Sequence, residues 1–389
     1  MIGNAANSEM SYLVKTRAQT LRLSPAASLV LDIARFTAAL AVAIGHFSLP
    51  MYSLAIPNMM VPASGAVGVF FVLSGFVIRY VTNSRLSTLG EYLLDRASRL
   101  FSVLVPAICF TVVVDLIVRH QTKQPITEIG DYIVRLVTTV TFTSEVWFQD
   151  LAPVLNHPFW SLSYEAFYYV FYGLAFYLRG PKRWVLFGVG CLMAGPSILF
   201  LAPVWFFGVL LQDFYQKIHR SMRQSITTAG VLGVIGVTCT GYLHSLPHDK
   251  RYALSVTGKH FASQMQAWHM QQASSWYWEA GIPSGIAILC ALLLLNRVPI
   301  PPKSRLIRMV RFGADGTFSL YLFHLPMIIL VRALIPYNPS SRLQLAAVFV
   351  SVVTVCILLE RPCLKLKNLI RARFSSMMER RQPPKMTMT

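Results

Sequence analysis

Apolar runs too long for a soluble core recur along this chain, and no other feature constrains its fold as strongly. They are read at about 29–48, 64–81, 100–118, 160–178, 184–201, 203–215, 226–243, 280–296, 315–335 and 343–360. A helix needs about 20 apolar residues to cross the ~30 Å hydrocarbon layer of a bilayer. In lipid every backbone N–H and C=O must be satisfied internally, and runs of this length suit helices rather than barrel strands. The sequence therefore predicts an all-α, polytopic transmembrane helical bundle of about ten spans. A further stretch, 132–147, is apolar but rich in threonine and β-branched residues, and its hydropathy alone leaves its crossing undecided.

Charge arithmetic addresses that stretch. Of 389 residues, 54% are hydrophobic and 13% charged, where a soluble domain carries about 25% charged residues. The formal net charge of +19 invites a nucleic-acid reading. Lys and Arg concentrate between the apolar runs, however, where membrane topology places them, so no nucleic-acid partner is expected. With Lys15, Arg17 and Arg22 inside, the outer 49–63 loop has no Lys or Arg. If 132–147 does not cross, Arg179, Lys182 and Arg183 fall inside, as do Lys217, Arg220 and Arg223 and then the cluster from Arg297 to Arg311. If it crosses, most of these flip outward. The non-crossing arrangement is the expectation, with both termini cytoplasmic.

Three regions follow: a cytoplasmic N-terminal segment over 1–28, a transmembrane domain over 29–362, and a basic cytoplasmic tail over 363–389 that is read as disordered or lying on the anionic inner surface. The first apolar run is too long for a cleaved signal peptide and holds Asp32 and Arg35. The six cysteines are scattered without a CxxC pair, and His244, His248, His260 and His269 of the outer 244–279 loop show no HExxH pattern. Neither a disulfide framework nor a metal site is expected.

Ionisable groups inside a membrane cost ~2.5–3.5 kcal/mol each on insertion scales, so each needs a reason. Asp32 lies three residues before Arg35 and is read as its neutralising partner. Arg35 and His46 are eleven positions apart, about three full turns, so they share a helix face roughly 16 Å apart along the axis. The second run, "GAVGVFFVLSGFVIR", carries Gly65, Gly68, Ser74 and Gly75, small enough for close helix approach, and ends in Arg79. Arg79 and Arg99 are read as surface charges. In "FWSLSYEAFYYVFY", Glu165 lies one turn into an apolar helix behind Ser161 and Ser163, where an N-cap with an acid near the positive dipole end is the plain reading. In the expected topology Glu165 and His46 share the outer end, which suits a base and its orienting carboxylate. Tyr321 and His324 of "GADGTFSLYLFHLPMII" are expected to make hydrogen bonds facing the bundle.

Six segments in order resemble the acyltransferase-3 family of integral membrane acyltransferases, which modify bacterial surface polysaccharides, exopolysaccharides, nodulation factors and antibiotics. "LDIARFTAALAVAIGH" is similar to the family's "LDGLRGIAAL…H", with its Arg-x10-His spacing filled by Arg35 and His46. "GAVGVFFVLSGFVIR" resembles "GVDLFFVLSGFLI", with Arg79 in the following position. "DRASRLFSVLVP" resembles "RR..RIYP" and supplies Arg96 and Arg99. "WSLSYEAFYY" resembles "WSLSVEEQFY", "FSLYLFHLP" resembles "SYSLYLLHxP", and Glu360-Arg361-Pro362 resembles the closing "ERPF". Departures include Ala34 and Phe36 around Arg35, and Ala166 where the family has a second Glu.

The resemblance implies an acyl-CoA-dependent O-acyltransferase of the bacterial inner membrane. It would move an acyl group, most often acetyl from acetyl-CoA, to a hydroxyl of a saccharide or lipid-linked saccharide. Acyl-CoA is then a co-substrate and no cofactor is tightly bound. The implied donor-binding residues are Arg35, Arg79, Arg96 and Arg99, suited to phosphate. His46 is the implied base or transient acyl carrier and Glu165 its support, with Asp32, Ser161, Ser163, Tyr321 and His324 as supporting residues. The rival reading is a transporter or flippase with an intramembrane His/Glu proton relay; it would call for broken helices and inverted repeats, and the sequence is read as having neither.

Overall fold

Every regular element among the described residues is helical, as a lipid-embedded backbone requires. The structure is a computed structural model and describes residues 23–84, 87–123, 129–219, 221–245, 276–299 and 304–380. The outer loop expected over 244–279 falls largely outside them, as do most of the N-terminal segment and the last residues of the tail. In chain order the helices are α1 (Pro25–Phe47), α2 (Met60–Ser84), α3 (Leu89–Thr122), α4 (Ile129–Val140), a 3-10 segment (Val154–Phe159), α5 (Trp160–Tyr177) and α6 (Pro181–Ile218). There follow α7 (Met222–Ser245), α8 (Trp276–Leu295), α9 (Arg305–Asp315), α10 (Thr317–Leu334), α11 (Arg342–Leu358) and α12 (Glu360–Arg380).

Seven helical stretches among the described residues are long and apolar enough to cross a membrane, against the ten expected: Pro25–Phe47, Ala63–Ser84, Leu89–Thr122, Pro181–Ile218, Tyr277–Leu295, Thr317–Leu334 and Arg342–Arg373. The expected spans 184–201 and 203–215 form a single element, α6, broken at Gly195. Gly195 has φ +76°, a left-handed conformation that glycine adopts without penalty. A Cβ there would run into the backbone of Trp147, whose N–H donates to the Ala194 carbonyl at 3.0 Å. The expected span at 160–178 is helix α5, diluted by the polar residues Ser161, Ser163 and Glu165, and the expected span at 226–243 lies within helix α7. Stretch 132–147 yields α4, twelve residues long, which at ~1.5 Å per residue reaches ~18 Å and is too short to cross. Its Ile129, Ile133, Val137 and Val140 are exposed along one face.

The chain divides into two compact units, each gathered from separate segments. The first comprises Met1–Gly45, Met59–Ser87 and Leu199–Ala314. Within it α2 packs on α8, and α8 on α7. The small residues of the second run work as expected: Gly68 meets the backbone of Tyr277, and Gly75 meets that of Trp205. The second unit comprises His46–Asn58, Thr88–Ile198 and Asp315–Thr389. Here α10 packs against α3, α11 and the 3-10 segment, while α5 and α12 also pack on α3. Helix α3 begins at a capping box: Thr88 Oγ1 accepts from the Glu91 N–H, and Glu91 Oε2 accepts from the Thr88 N–H at 2.8 Å.

The tail, read as disordered or lying on the inner surface, is helical as far as Arg380. Its basic residues have an acidic partner that the linear pattern hides, because Lys367 and Arg371 approach Asp95 of α3 at 3.9 and 3.4 Å. Cys363 on the same helix is buried.

Candidate active site

His46, half-buried, closes α1 and belongs to the second unit. Its Nδ1 lies 3.1 Å from Nε2 of His324, which is fully buried on α10. The surroundings of His324 decide which nitrogen carries the proton. His324 Nδ1 faces the carbonyls of Leu320 and Tyr321 at 3.0 and 2.8 Å, and a carbonyl only accepts. Nδ1 of His324 is therefore the N–H, and its Nε2 is the acceptor. His46 must then donate from Nδ1, which leaves the lone pair of neutral His46 on Nε2. A backbone-anchored imidazole thus fixes a second imidazole in the tautomer of a base. The orienting bond at Nδ1 comes from a histidine that the sequence placed among supporting residues, rather than from a carboxylate.

Sequence explains how α10 presents His324. Pro326 has no N–H, so the Leu322 carbonyl loses its helical donor four residues on. Asn156 supplies the replacement: its Nδ2 donates to the Leu322 carbonyl at 2.9 Å and to Thr111 Oγ1 at 3.0 Å. Asn156 sits at a non-helical break in the 3-10 segment, with φ −144° and ψ 59°.

The "WSLSYE" turn of α5 is pinned on both sides. Tyr321 and Ser161 share a hydroxyl hydrogen bond of 2.9 Å, and Ser163 bonds Ser144 at 2.9 Å. Glu165 Oε1 accepts from the Tyr169 phenol. Tyr321 and His324 both make the bundle-facing hydrogen bonds expected of them. Next to Ser144, Glu145 is 2% exposed, and its Oε1 has no hydrogen-bond partner among the described residues. Burial, and after it the charge of Asp150, pushes its carboxyl up to about 9, so it is neutral at physiological pH. The sequence reading missed this residue, whose signal is an acid inside an otherwise apolar stretch.

None of the expected donor-binding arginines is a bare surface charge. In the first unit Arg35 pairs with Asp32 at 3.0 Å, as its spacing predicts, and Arg79 pairs with Asp213 at 2.7 Å. In the second unit Arg99 pairs with Glu360, and Arg96 with Asp95. Glu360 is buried, and its Oε2 accepts from the Ser319 N–H and Oγ–H at 3.1 and 2.8 Å. It therefore satisfies one of the orphan amides at the N-terminus of α10. The "RLF", "FSLYLFHLP" and "ERP" segments meet at this one carboxylate. Around Asp95 stand Arg96, Lys367 and Arg371, so basic groups outnumber acidic ones on this side of α3 and α12, a balance suited to phosphate. Lys367 and Arg371 were absent from the sequence reading, and their four-residue spacing on a basic helix was the available signal. The second unit thus brings together His46 with His324, and Arg96 and Arg99 with α12; Arg35 and Arg79 belong to the first. Among the described residues no three His, Cys, Asp or Glu side chains form a metal-sized cluster.

The acyltransferase-3 family model, described as an acyltransferase domain, matches residues 29–361. Comparison with curated proteins and with solved structures returns no match.

Proposed function

We propose that this chain, which belongs to the acyltransferase-3 family and is a membrane acyltransferase, moves an acyl group, acetyl foremost, from acyl-CoA to a hydroxyl of a cell-surface or exported saccharide. The observation that carries the reading is the histidine pair, because it holds a base in one tautomer inside a helical bundle. His46 Nε2 takes the proton of the acceptor hydroxyl as its oxygen attacks the thioester carbonyl. The new C–O bond forms, the C–S bond breaks, and the imidazolium returns the proton to the departing thiolate as free CoA. Glu165 favours the imidazolium while it exists. Arg35, Arg79, Arg96 and Arg99 bind the donor phosphates, joined by Lys367 and Arg371; a guanidinium has five N–H donors and keeps some after pairing with one carboxylate. The donor enters from the cytoplasm, with both termini on that side of a bacterial inner membrane.

The test is to incubate membranes carrying the chain with labelled acetyl-CoA and weigh the host's surface glycans. Labelled acetyl esters are expected on a glycan and absent from membranes lacking the chain. A wild-type preparation that leaves every glycan unlabelled overturns this donor and acceptor assignment.

A further inference from the structure

A second polar feature of the second unit takes no part in the chemistry above. Helices α3 and α4 and the start of the 3-10 segment enclose a pocket of about 140 Å³. Thr111, Asp115 and Arg119 line one wall, and Asp131, Tyr132 and Arg135 another. Its charges come in two helical i,i+4 pairs: Arg119 Nε to Asp115 Oδ2 at 2.9 Å and Arg135 Nε to Asp131 Oδ2 at 2.7 Å. Two carboxylates and two guanidiniums sum to zero, so the pocket offers no net attraction to an ion. It does offer both hydrogen-bonding polarities side by side: the carboxylates carry more acceptor sites than these contacts use, and Arg135, whose Nη1 also donates to the Asp150 and Ala152 carbonyls at 3.4 and 3.0 Å, has five N–H donors in all. The half-buried Tyr132 adds a ring, its phenol bonded to Asp115 and pushed up to about 12, first by burial, so that it stays an O–H donor.

Such a lining matches a neutral polyol, whose hydroxyls both give and accept hydrogen bonds and whose C–H face stacks on an aromatic ring. The volume suits a single ring rather than a chain. A second, independent observation comes from the residue next along the chain. Asn156 follows the lining residue Leu155, is wholly buried, and leaves its Oδ1 without a hydrogen-bond partner among the described residues. Its Nδ2 ties Thr111, in the pocket wall, to the Leu322 carbonyl on the helix that carries His324.

We propose that this pocket binds one neutral sugar ring of the acceptor, an assignment that rests on the acyltransferase reading for the word acceptor but not for the binding itself. Saturation-transfer NMR on the purified full chain tests the binding, with methyl glucoside and methyl N-acetylglucosaminide as neutral probes and glucose 6-phosphate as the anionic one. The neutral glycosides are expected to receive saturation from the wild type and the phosphate none. Tyr132→Ala should weaken the neutral signal at least about tenfold. Asp131 is exposed, so Asp131→Asn is the variant more certain to fold. It leaves the lining with one net positive charge, and it should weaken the glycosides while admitting the phosphate. Glycosides that saturate equally in all three proteins, or not at all, overturn the pocket assignment, as does a wild type that prefers the phosphate. Labelled acetyl transfer on the same preparations separates the two claims. Transfer with an unchanged acceptor KM in Tyr132→Ala sinks the subsite and leaves the enzyme reading standing. Tyr132-dependent glycoside binding without transfer to any glycan supports the pocket and sinks the enzyme reading.

Discussion

Two sets of polar groups, one from each unit, are held by different means, although the second unit also carries ion pairs such as Arg99 with Glu360 and Arg96 with Asp95. In the second, His46 and His324 are tied by hydrogen bonds between neutral rings, anchored on backbone carbonyls. In the first, Arg35 and Arg79 are tied to Asp32 and Asp213 by opposite charge. A neutral tie fixes direction: it selects a tautomer and aims a lone pair. A charged tie mainly offsets the expense of keeping a guanidinium out of water, and it leaves further donors on the same group. Loss of a histidine should therefore appear in turnover, whereas loss of an arginine should appear in folding and in donor affinity together.

The sharpest way to break this contrast is His46→Ala. It deletes a polar group from an apolar helix, so insertion should be normal, while removal of a positioned base lowers kcat by ~10²–10⁴-fold. His46→Gln, which keeps a hydrogen bond without basicity, should be nearly as inactive. Wild-type transfer by His46→Ala at equal expression would refute the catalytic assignment. Next in size is His324→Leu, of similar bulk. A hydrogen bond to a group that becomes charged is worth ~1.5–3 kcal/mol, so kcat should fall about tenfold to a hundredfold with the donor KM unchanged. A change confined to KM would mean that His324 does not act through the imidazole.

The ion pairs give a smaller and more mixed signature. Arg79→Ala strands Asp213 and should lower both yield and donor affinity, whereas Arg79→Ala with Asp213→Asn should regain the yield and not the affinity. If the double variant regains both, the arginine is structural only. Glu145, whose Oε1 has no hydrogen-bond partner among the described residues, shows the least effect. Its folded value, raised from the ordinary 4.5 to about 9, means that its protonated form favours folding. That contribution is complete below the unfolded carboxyl range and is lost as pH rises toward about 9. Glu145→Gln removes the titration, so its gain in Tm over wild type should be larger at about pH 8 than at about pH 5. An equal gain at both values would show that the carboxyl is already ionised in the folded chain.

Helical class and family were legible in the sequence because apolar length and ordered short segments are local patterns. Asp32 with Arg35 was legible for the same reason, being a three-residue spacing on one helix. The partners of Arg79 and Arg99 lie 134 and 261 residues away, and no linear pattern announces them. The helix after Pro362 was left open between a disordered and a surface-lying tail, because its basic face looks solvated until Asp95 is known to face it. The break in α6 at Gly195 was hidden inside an unbroken apolar run, since a single glycine in an unusual conformation leaves hydropathy unchanged. His324 was visible as a polar residue in a span, and the two carbonyls that set its tautomer lie three and four residues back on its own helix, but the His46 nitrogen it faces comes from 278 residues away.

Pro326 leaves a mark on the folding chain itself. By withholding one amide hydrogen it singles out the Leu322 carbonyl on α10, and Asn156 answers that carbonyl from 166 residues earlier in the sequence. The docking of the 3-10 segment on α10 is consequently discrete rather than sliding. Slipping the partner by one residue in either direction would leave the singled-out oxygen bare in an apolar interior and offer the amide a carbonyl already engaged by its own helix. A proline two positions beyond the histidine thereby acts as a registration mark for assembly, one that disfavours misaligned pairings.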